Sequence, residues 1–471
     1  MLRGLFLLCL LAFSIQTVAQ RIKILDSETE LPVSGVLVFG ANPQNSEISD
    51  ANGEVDFPRF ADEEIIYFQF FGYQSQSFEP SEIVEADFQV LLSQSLIAMD
   101  MAVVSANRWR QNDHDIATKT RVISSDNLTL RNPSNAADWL GSSGEVFIQK
   151  SQQGGGSPMI RGFSANRLLY AVDGVRMNTA IFRSGNLQNV ISLDPFALAN
   201  TEVLFGPGSV MYGSDAIGGV MSFQTLNPDF SETEKADWSG NLNTRVASAN
   251  DERVIHGDIA LGLKKWAFLS SLSYVDYGDL RMGTNGPDEY LRPSFAARVN
   301  GQDVIVQNED PEIQRFSGYE QLNLMQKIRF EANSKLNFDY GFHYSNTGNI
   351  PRYDRLIEGD EDNIRSARWD YGPQTWIMNT LGVNFQNKSK LFDQAKVRFA
   401  HQFFEESRIT RRFGRVIETN RIEKINALSL NADFIKSLQG EDFLSYGTEV
   451  VHNDVNSEAF QTNIDTEDLE D

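Results

Sequence analysis

The chain has 471 residues, with 41 Lys and Arg against 64 Asp and Glu, a formal charge of −23, 34 glycines, 32 phenylalanines and one cysteine. An acidic balance of this size argues against a nucleic-acid partner, which needs a basic patch. The 22% charged and 41% apolar fractions exclude wholesale disorder and a bundle of membrane helices, and the lone Cys9 can form neither an internal bridge nor a structural zinc site.

Residues 1–19 carry a basic Arg3, an apolar run from Leu5 to Ile15, and the small residues Thr17 and Ala19 at the −3 and −1 positions of a cleavage site. This is the pattern of a secretory signal peptide, and the apolar run is too short to span about 30 Å of hydrocarbon. Export leaves a mature chain without cysteine, which suits a bacterial envelope protein.

Residues 20–95 alternate short β-branched runs (Val36-Leu37-Val38-Phe39, Ile65-Ile66-Tyr67-Phe68) with turn signals. The pattern predicts a small β-sandwich in which Asn52-Gly53 marks a hairpin. Residues 96–113 are a connector whose centre, Met101-Ala102-Val103-Val104-Ser105-Ala106, is unusually apolar for a solvated tether. Such a segment can add as a strand to the sheet of another protein, or it can be one more strand of the preceding domain.

Residues 114–228 read as mixed α/β: a capped short helix at Ser134–Leu140, a buried strand at Leu168–Val172, and the turn Asp173-Gly174. The glycine-rich stretch Gly206-Pro207-Gly208-Ser209-Val210-Met211-Tyr212-Gly213 fails as a nucleotide site. Met211 stands where a dinucleotide fingerprint needs its third glycine, and no Gly-Lys-Ser/Thr follows. Gly218-Gly219 suits close backbone approach.

From residue 229 to 471 the alternation is plain. Leu322, Leu324, Ile328 and Phe330 share one face against Asn323, Lys327 and Arg329, and ten-residue strands recur near 253–263, 266–276, 375–386, 395–404, 424–435 and 443–452. Short turns alternate with long connections, which favours a membrane barrel over a soluble sandwich. The five histidines (His114, His256, His343, His401, His452) show no metal-ligand spacing, although His256 and His343 have the parity of lumen-facing positions.

Three motifs in order, Met159-Ile160-Arg161-Gly162-Phe163, Tyr170-Ala171-Val172-Asp173-Gly174-Val175, and Thr201-Glu202 through Gly219-Val220, resemble the plug domain of TonB-dependent outer-membrane receptors. The front module, with Leu31-Pro32-Val33-Ser34-Gly35-Val36, Asp50-Ala51-Asn52-Gly53 and Phe71-Gly72-Tyr73, resembles the carboxypeptidase regulatory-like domain of Bacteroidetes receptors, a transthyretin-like sandwich. Ile350-Pro351-Arg352-Tyr353-Asp354-Arg355-Leu356 resembles a barrel loop of their haem and siderophore types.

The fold class expected is therefore dominated by β-structure: a small N-terminal β-sandwich, an α/β plug, and a partial antiparallel transmembrane β-barrel. About nine strands are counted here against 22 in the family, so the resemblance implies a truncated barrel whose ninth strand ends near His452, with the acidic Asp465–Asp471 in an outer loop.

The resemblance also implies location in the outer membrane, among its lipid, and active uptake of a scarce ligand, an iron complex such as a ferric siderophore or haem. No cofactor, metal or catalytic residue is implied, and no hydrolase elbow or zinc-protease motif is present. Met101, Ala102, Val103, Val104, Ser105 and Ala106 become the TonB box, seized by the periplasmic transducer TonB. Arg161, Gly162, Asp173, Gly174, Gly206, Gly208, Tyr212, Gly213, Gly218 and Gly219 become structural plug residues, with Arg161 on a strand facing the wall and paired to carboxylates. Arg176, Asn178 and Arg183, on an apex loop, are candidates for contact with an anionic ligand, unless that loop is merely solvated. An oligosaccharide importer of the same family and a non-transporting surface binding protein are the alternatives.

Overall fold

A computed structural model of the protein describes residues 20–27, 31–40, 45–70, 73, 76–93, 102–103, 109, 111–112, 118–125, 128–177, 189–360, 363–438 and 442–470. The chain divides into two compact units, Met1–Ala102 and Val103–Asp471. The signal-peptide region lies outside the described residues.

In the first unit, β1 (Arg21–Asp26) buries every second side chain and forms the centre of a three-stranded sheet. Its neighbours are β4 (Glu54–Asp56) and β7 (Gln89–Leu92), with β7 parallel to it. A second sheet has β2 (Leu37–Phe39) between β3 (Ser46–Ile48) and β5 (Ile66–Gln69), with β6 (Gln76–Phe78) at its edge. One apolar core draws Ile22, Ile24 and Val90 from the first sheet and Val38, Ile66 and Phe68 from the second, and α1 (Pro80–Glu85) adds Ile83.

The Asn52-Gly53 turn is tight, with Asp50 Oδ1 accepting from the amides of Asn52 (2.8 Å) and Glu54 (3.0 Å). It does not close a hairpin, however, because β3 pairs with β2 while β4 pairs with β1. The turn carries the chain from one sheet into the other. Turn chemistry sets the reversal, and burial of Val55 in the shared core chooses the partner.

A short pair, β8 (Ala102–Val103) with β9 (Gln111–Asn112), stands at the boundary where the second unit begins. A five-stranded sheet follows, in the order β10 (Thr120–Ser124), β15 (Leu198–Phe205), β16 (Gly219–Thr225), β13 (Leu168–Val172), β14 (Val175–Arg176). Only the β13–β16 pair is parallel. β13 is buried on both faces, which explains its unbroken apolar run Leu168-Leu169-Tyr170-Ala171-Val172.

Around this sheet lie α2 (Leu128–Arg131), α3 (Ala136–Gly141), the hairpin β11 (Phe147–Gln149) with β12 (Ser157–Met159), and α4 (Ser209–Tyr212). Asn135 caps α3 by accepting from the Ala137 and Asp138 amides. Gly219 stands where β15 and β16 approach closely, since a Cβ there would lie 2.6 Å from the Leu204 carbonyl oxygen.

Nine long antiparallel strands then pair in sequence order: β17 (Asp237–Ala247), β18 (Glu252–Gly262), β19 (Trp266–Tyr277), β20 (Tyr319–Asn333), β21 (Leu336–Thr347), β22 (Ser366–Gln386), β23 (Gln394–Arg412), β24 (Ile417–Ser437) and β25 (Phe443–Asn463). No helix among the described residues is long and apolar enough to cross a membrane, a statement that leaves strands aside.

The last four strands are far longer than ten residues, and the ninth continues past His452 to Asn463 before Leu469–Glu470 turns back to pair with it. The alternation of apolar residues reports only the band that meets lipid, about ten residues per strand. Beyond it, stretches such as Glu405-Glu406-Ser407-Arg408-Ile409-Thr410-Arg411-Arg412 stay in the ladder without the apolar signal.

Candidate functional site

The α/β unit packs on one face of the wall. On β18 the inward residues are Glu252, Val254 and His256; on β19, Leu269, Ser271, Ser273 and Val275; on β20, Gln321, Asn323, Met325 and Lys327. Most of this face is polar, so the contact between sheet and wall is built largely from hydrogen bonds and ion pairs.

One anchor is the β13–β14 turn. Two residues, Asp173 (φ 50°) and Gly174 (φ 79°), close the hairpin with positive φ, as a twist-matched two-residue turn requires. The turn aims the Asp173 carboxylate at the wall. Its Oδ2 lies 3.0 Å from Lys327 Nζ and 3.5 Å from His343 Nε2, both of them buried. The carboxylate also accepts from the Thr225 amide through Oδ1 (2.9 Å) and from the Thr225 hydroxyl through Oδ2 (2.8 Å). Lys327 donates in addition to Asn227 Oδ1 at 2.9 Å. Burial alone pushes the Asp173 carboxyl up, but Lys327, His343 and the Thr225 amide together hold it well below the usual carboxylate range.

A second anchor joins the plug's Asp194 to β18 and β19. Ser273 Oγ donates to Asp194 Oδ2, and Asp194 Oδ1 accepts from the Phe196 amide at 3.0 Å. His256 Nδ1 lies 2.6 Å from Ser273 Oγ and its Nε2 3.1 Å from Asp258, while its ring stacks on Phe196 at 5.1 Å. Burial raises the Asp194 carboxyl, with His256 and Ser273 opposing. Nearby, Gln321 Nε2 donates to the Ile191 carbonyl at 2.8 Å. Neither anchor stands out in the sequence, because Ser273, Gln321 and Lys327 are ordinary polar members of alternating strands and only the packed sheet gives them partners. Among the described residues no group of His, Cys, Asp and Glu could hold a metal ion.

The residues singled out by sequence fall in several places. Arg176 is held by Asp215 (2.6 Å), by Glu449 of β25 (3.0 Å) and by the Tyr212 carbonyl, while its own carbonyl accepts from Gln402 at 2.8 Å. Its guanidinium therefore ties the sheet to the wall. Arg176→Met should lower the stability of this docking by about 1–2 kcal/mol, the cost of charge-assisted bonds lost with a partner left behind. Limited proteolysis of the detergent-solubilised protein should show faster cleavage; an unchanged rate would count against the tie. Asn178 and Arg183 lie outside the described residues.

Arg161 differs from expectation. It sits in the tight turn between Ile160 and Phe163 with φ 49°, exposed, over the Phe205 ring at 5.8 Å, and not on a strand facing the wall. Among the described residues it makes no ion pair with a carboxylate. Gly162 (φ 83°) is the second residue of that turn. Gly206 and Gly208 precede α4, whose last residue is the buried Tyr212 and whose C-cap is Gly213. A Cβ on Gly218 would strike Phe163.

Of the proposed TonB box only Ala102 and Val103 are described, as the short strand β8; Met101, Val104, Ser105 and Ala106 lie outside. Trp109, just beyond, is buried with Lys396 of β23 4.4 Å above its ring. His343 and His256 point inward, His401 lies on the outer face beside Asn426 (3.4 Å), and His114 lies outside the described residues. In the barrel-loop motif, Ile350 is buried and pairs with Tyr371, and α5 (Tyr353–Leu356) follows.

Comparison with known proteins agrees with this arrangement. Residues 112–220 match the family model of the TonB-dependent receptor plug domain. A vitamin B12 transporter of Vibrio vulnificus (strain CMCP6) is 28% identical over 299 residues, 63% of this chain and 41% of that protein. A hemin receptor of Yersinia enterocolitica is 28% identical over 204 residues, 40% of this chain and 28% of its own. The FrpB iron transporter from Neisseria meningitidis shares the fold with a TM-score of 0.57 at 15% identity, covering 72% of this chain and 49% of that one. The chain thus spans less than half the length of the curated relatives it matches. Residues 112–220 therefore carry the plug domain of TonB-dependent receptors, packed on the inward face of a β-barrel-like wall.

Proposed function

We propose that the protein serves TonB-dependent active uptake of a scarce ligand, an iron complex of the ferric siderophore or haem type, across the outer membrane. The observation that carries this reading is the seating of the plug. It lies on the inward face of the wall, and its contacts at Asp173, Asp194 and Arg176 are polar ones that water can replace when the sheet shifts. The coupling segment 101–106 immediately precedes it in the chain, so a pull there acts on the plug. The transducer TonB supplies the work.

The relatives named for vitamin B12, hemin and iron support a small metal-containing cargo. Transport, not catalysis, is the activity of such receptors. In this reading residues 1–19 are the export signal, and residues 20–95 are a carboxypeptidase regulatory-like module of the Bacteroidetes type, an assignment supported by two small sheets around one core.

Val103→Pro tests the coupling. Proline cannot donate to a ladder, so TonB can no longer add its strand there. Uptake of radiolabelled iron complex by cells carrying the variant should fall at least about tenfold, while binding at the cell surface stays unchanged. Normal uptake by this variant would remove the box from residues 101–106.

A further inference from the structure

The outer halves of β22, β23 and β24 enclose a cavity of about 590 Å³ with an unusual lining. Nine arginines (352, 355, 365, 368, 408, 411, 412, 415 and 421) line it against a single carboxylate, Glu358. In a chain whose formal charge is −23, such a concentration is not a sample of the average surface.

Strand register shows which way the site faces. Gln402 bonds the plug's Arg176 carbonyl, and Phe404 packs in the core shared with the plug, so the even positions of this part of β23 point inward. The same two-residue period brings Arg408 and Thr410 to that face. Arg421 stands directly opposite Arg408 and Thr419 opposite Thr410 on β24, with Tyr371 and Trp369 opposite the same pair on β22. The site thus opens on the side of the wall that the plug occupies, not on the lipid side.

Eight of its nine arginines fall into two sets. One set is fixed: Arg411 is buried and held by Asp303 at 2.6 Å, and Arg368 by Asp370 (2.7 Å) and Glu418 (3.1 Å). Arg352 is bonded to Asp354 (2.9 Å) and lies over Trp369 at 4.7 Å, while Glu358 holds Arg355 and Arg365. The other set is exposed. Arg412, Arg415 and Arg421 have no carboxylate partner among the described residues. Fixed guanidiniums shape the walls and repel further cations, leaving planar donor forks free at the mouth, a geometry suited to bidentate oxyanions.

We propose that this cavity binds a compact, soluble polyanion bearing several carboxylate or phosphate groups, such as a negatively charged metal chelate. The proposal rests on the uptake reading for its direction and deepens it by naming the charge class of the cargo. A neutral complex gains nothing from such a lining, whereas each oxyanion group can take a charge-assisted pair of bonds.

The test is binding to the purified chain in detergent micelles, by isothermal titration with ferric citrate and ferric pyrophosphate at two ionic strengths. Either chelate should bind, more weakly at high salt. Arg412→Gln/Arg421→Gln should weaken it at least about tenfold, since charge-assisted bonds are lost. Circular dichroism should be unchanged, because neither guanidinium has a carboxylate partner among the described residues. A neutral ferric hydroxamate complex should not compete.

Equal competition by the neutral complex, unaltered binding in the double variant, or binding of lipopolysaccharide phosphates alone would each overturn the proposal. The measurement involves neither TonB nor energy, so it separates from the uptake reading. Cells that fail to accumulate a chelate the micelles bind would refute uptake alone. Cells that import a polyanionic chelate equally well with the arginine variant would refute the cavity alone.

Discussion

Asp173→Ala should lower the opening free energy of the plug sheet by roughly 3 kcal/mol, because it leaves the Lys327 ammonium buried without its counter-charge. The loss reaches beyond one pair. The same carboxylate accepts from the Thr225 amide and hydroxyl, so β16 and the β13–β14 turn lose their common tie to β20. Hydrogen exchange of the amides of Leu168–Val172 in detergent micelles measures it directly. Protection equal to the wild type's would show that the anchor carries no weight.

A pH dependence follows from the same group, with a definite sign. Asp173 is depressed in the folded state, so its contribution is fully present above the ordinary carboxylate value of about 3.9 and is lost as pH falls through the folded value. The gap between the wild type and Asp173→Asn should therefore be constant from pH 7 to 5 and narrow below about pH 4. A gap that widens on acidification would reverse the assignment of charge.

Trp139→Ala should cost about 3–5 kcal/mol, the range for truncating a large aromatic in a closed core. Trp139 on α3 is fully buried among Ala136, Leu140, Val203, Phe223 and their neighbours, and its Nε1 donates to Thr201 at 3.1 Å. Removal opens a void and leaves the Thr201 hydroxyl of β15 without this donor. Urea unfolding followed by protease sensitivity of the plug reads the change, and Trp139→Phe should recover most of it. A loss below about 1 kcal/mol would mean that the core collapses around the gap.

The two experiments probe different seams: Trp139 holds the plug together, whereas Asp173 holds it to the wall. Uptake as proposed requires the second to yield before the first.

Much of this architecture is written locally. Alternation at Leu322–Phe330 gives the faces of β20, Asp173-Gly174 specifies a two-residue turn, and Asn135 marks the start of α3. Alternation also points His256 and His343 inward. These features follow from period and turn chemistry, which neighbouring residues alone impose.

What the sequence left open depended on partners distant in the chain. Asn52-Gly53 looked like a hairpin until the shared core drew β3 and β4 into separate sheets. Arg161 was expected in an ion pair, but a positive-φ turn carries it to the surface. Arg176, a candidate for ligand contact on an apex loop, reaches Glu449, 273 positions away. The arginines at 352–368, 408–415 and 421 stand in separate stretches of the chain, and their convergence required three strands in register plus a loop folded over them. By itself the sequence determined strands, tight turns and the inward or outward sense of the alternating side chains, because those depend on spacing of a few residues. Only the tertiary structure decided which charges meet, because burial and electrostatic pairing act through space between residues that the chain keeps far apart.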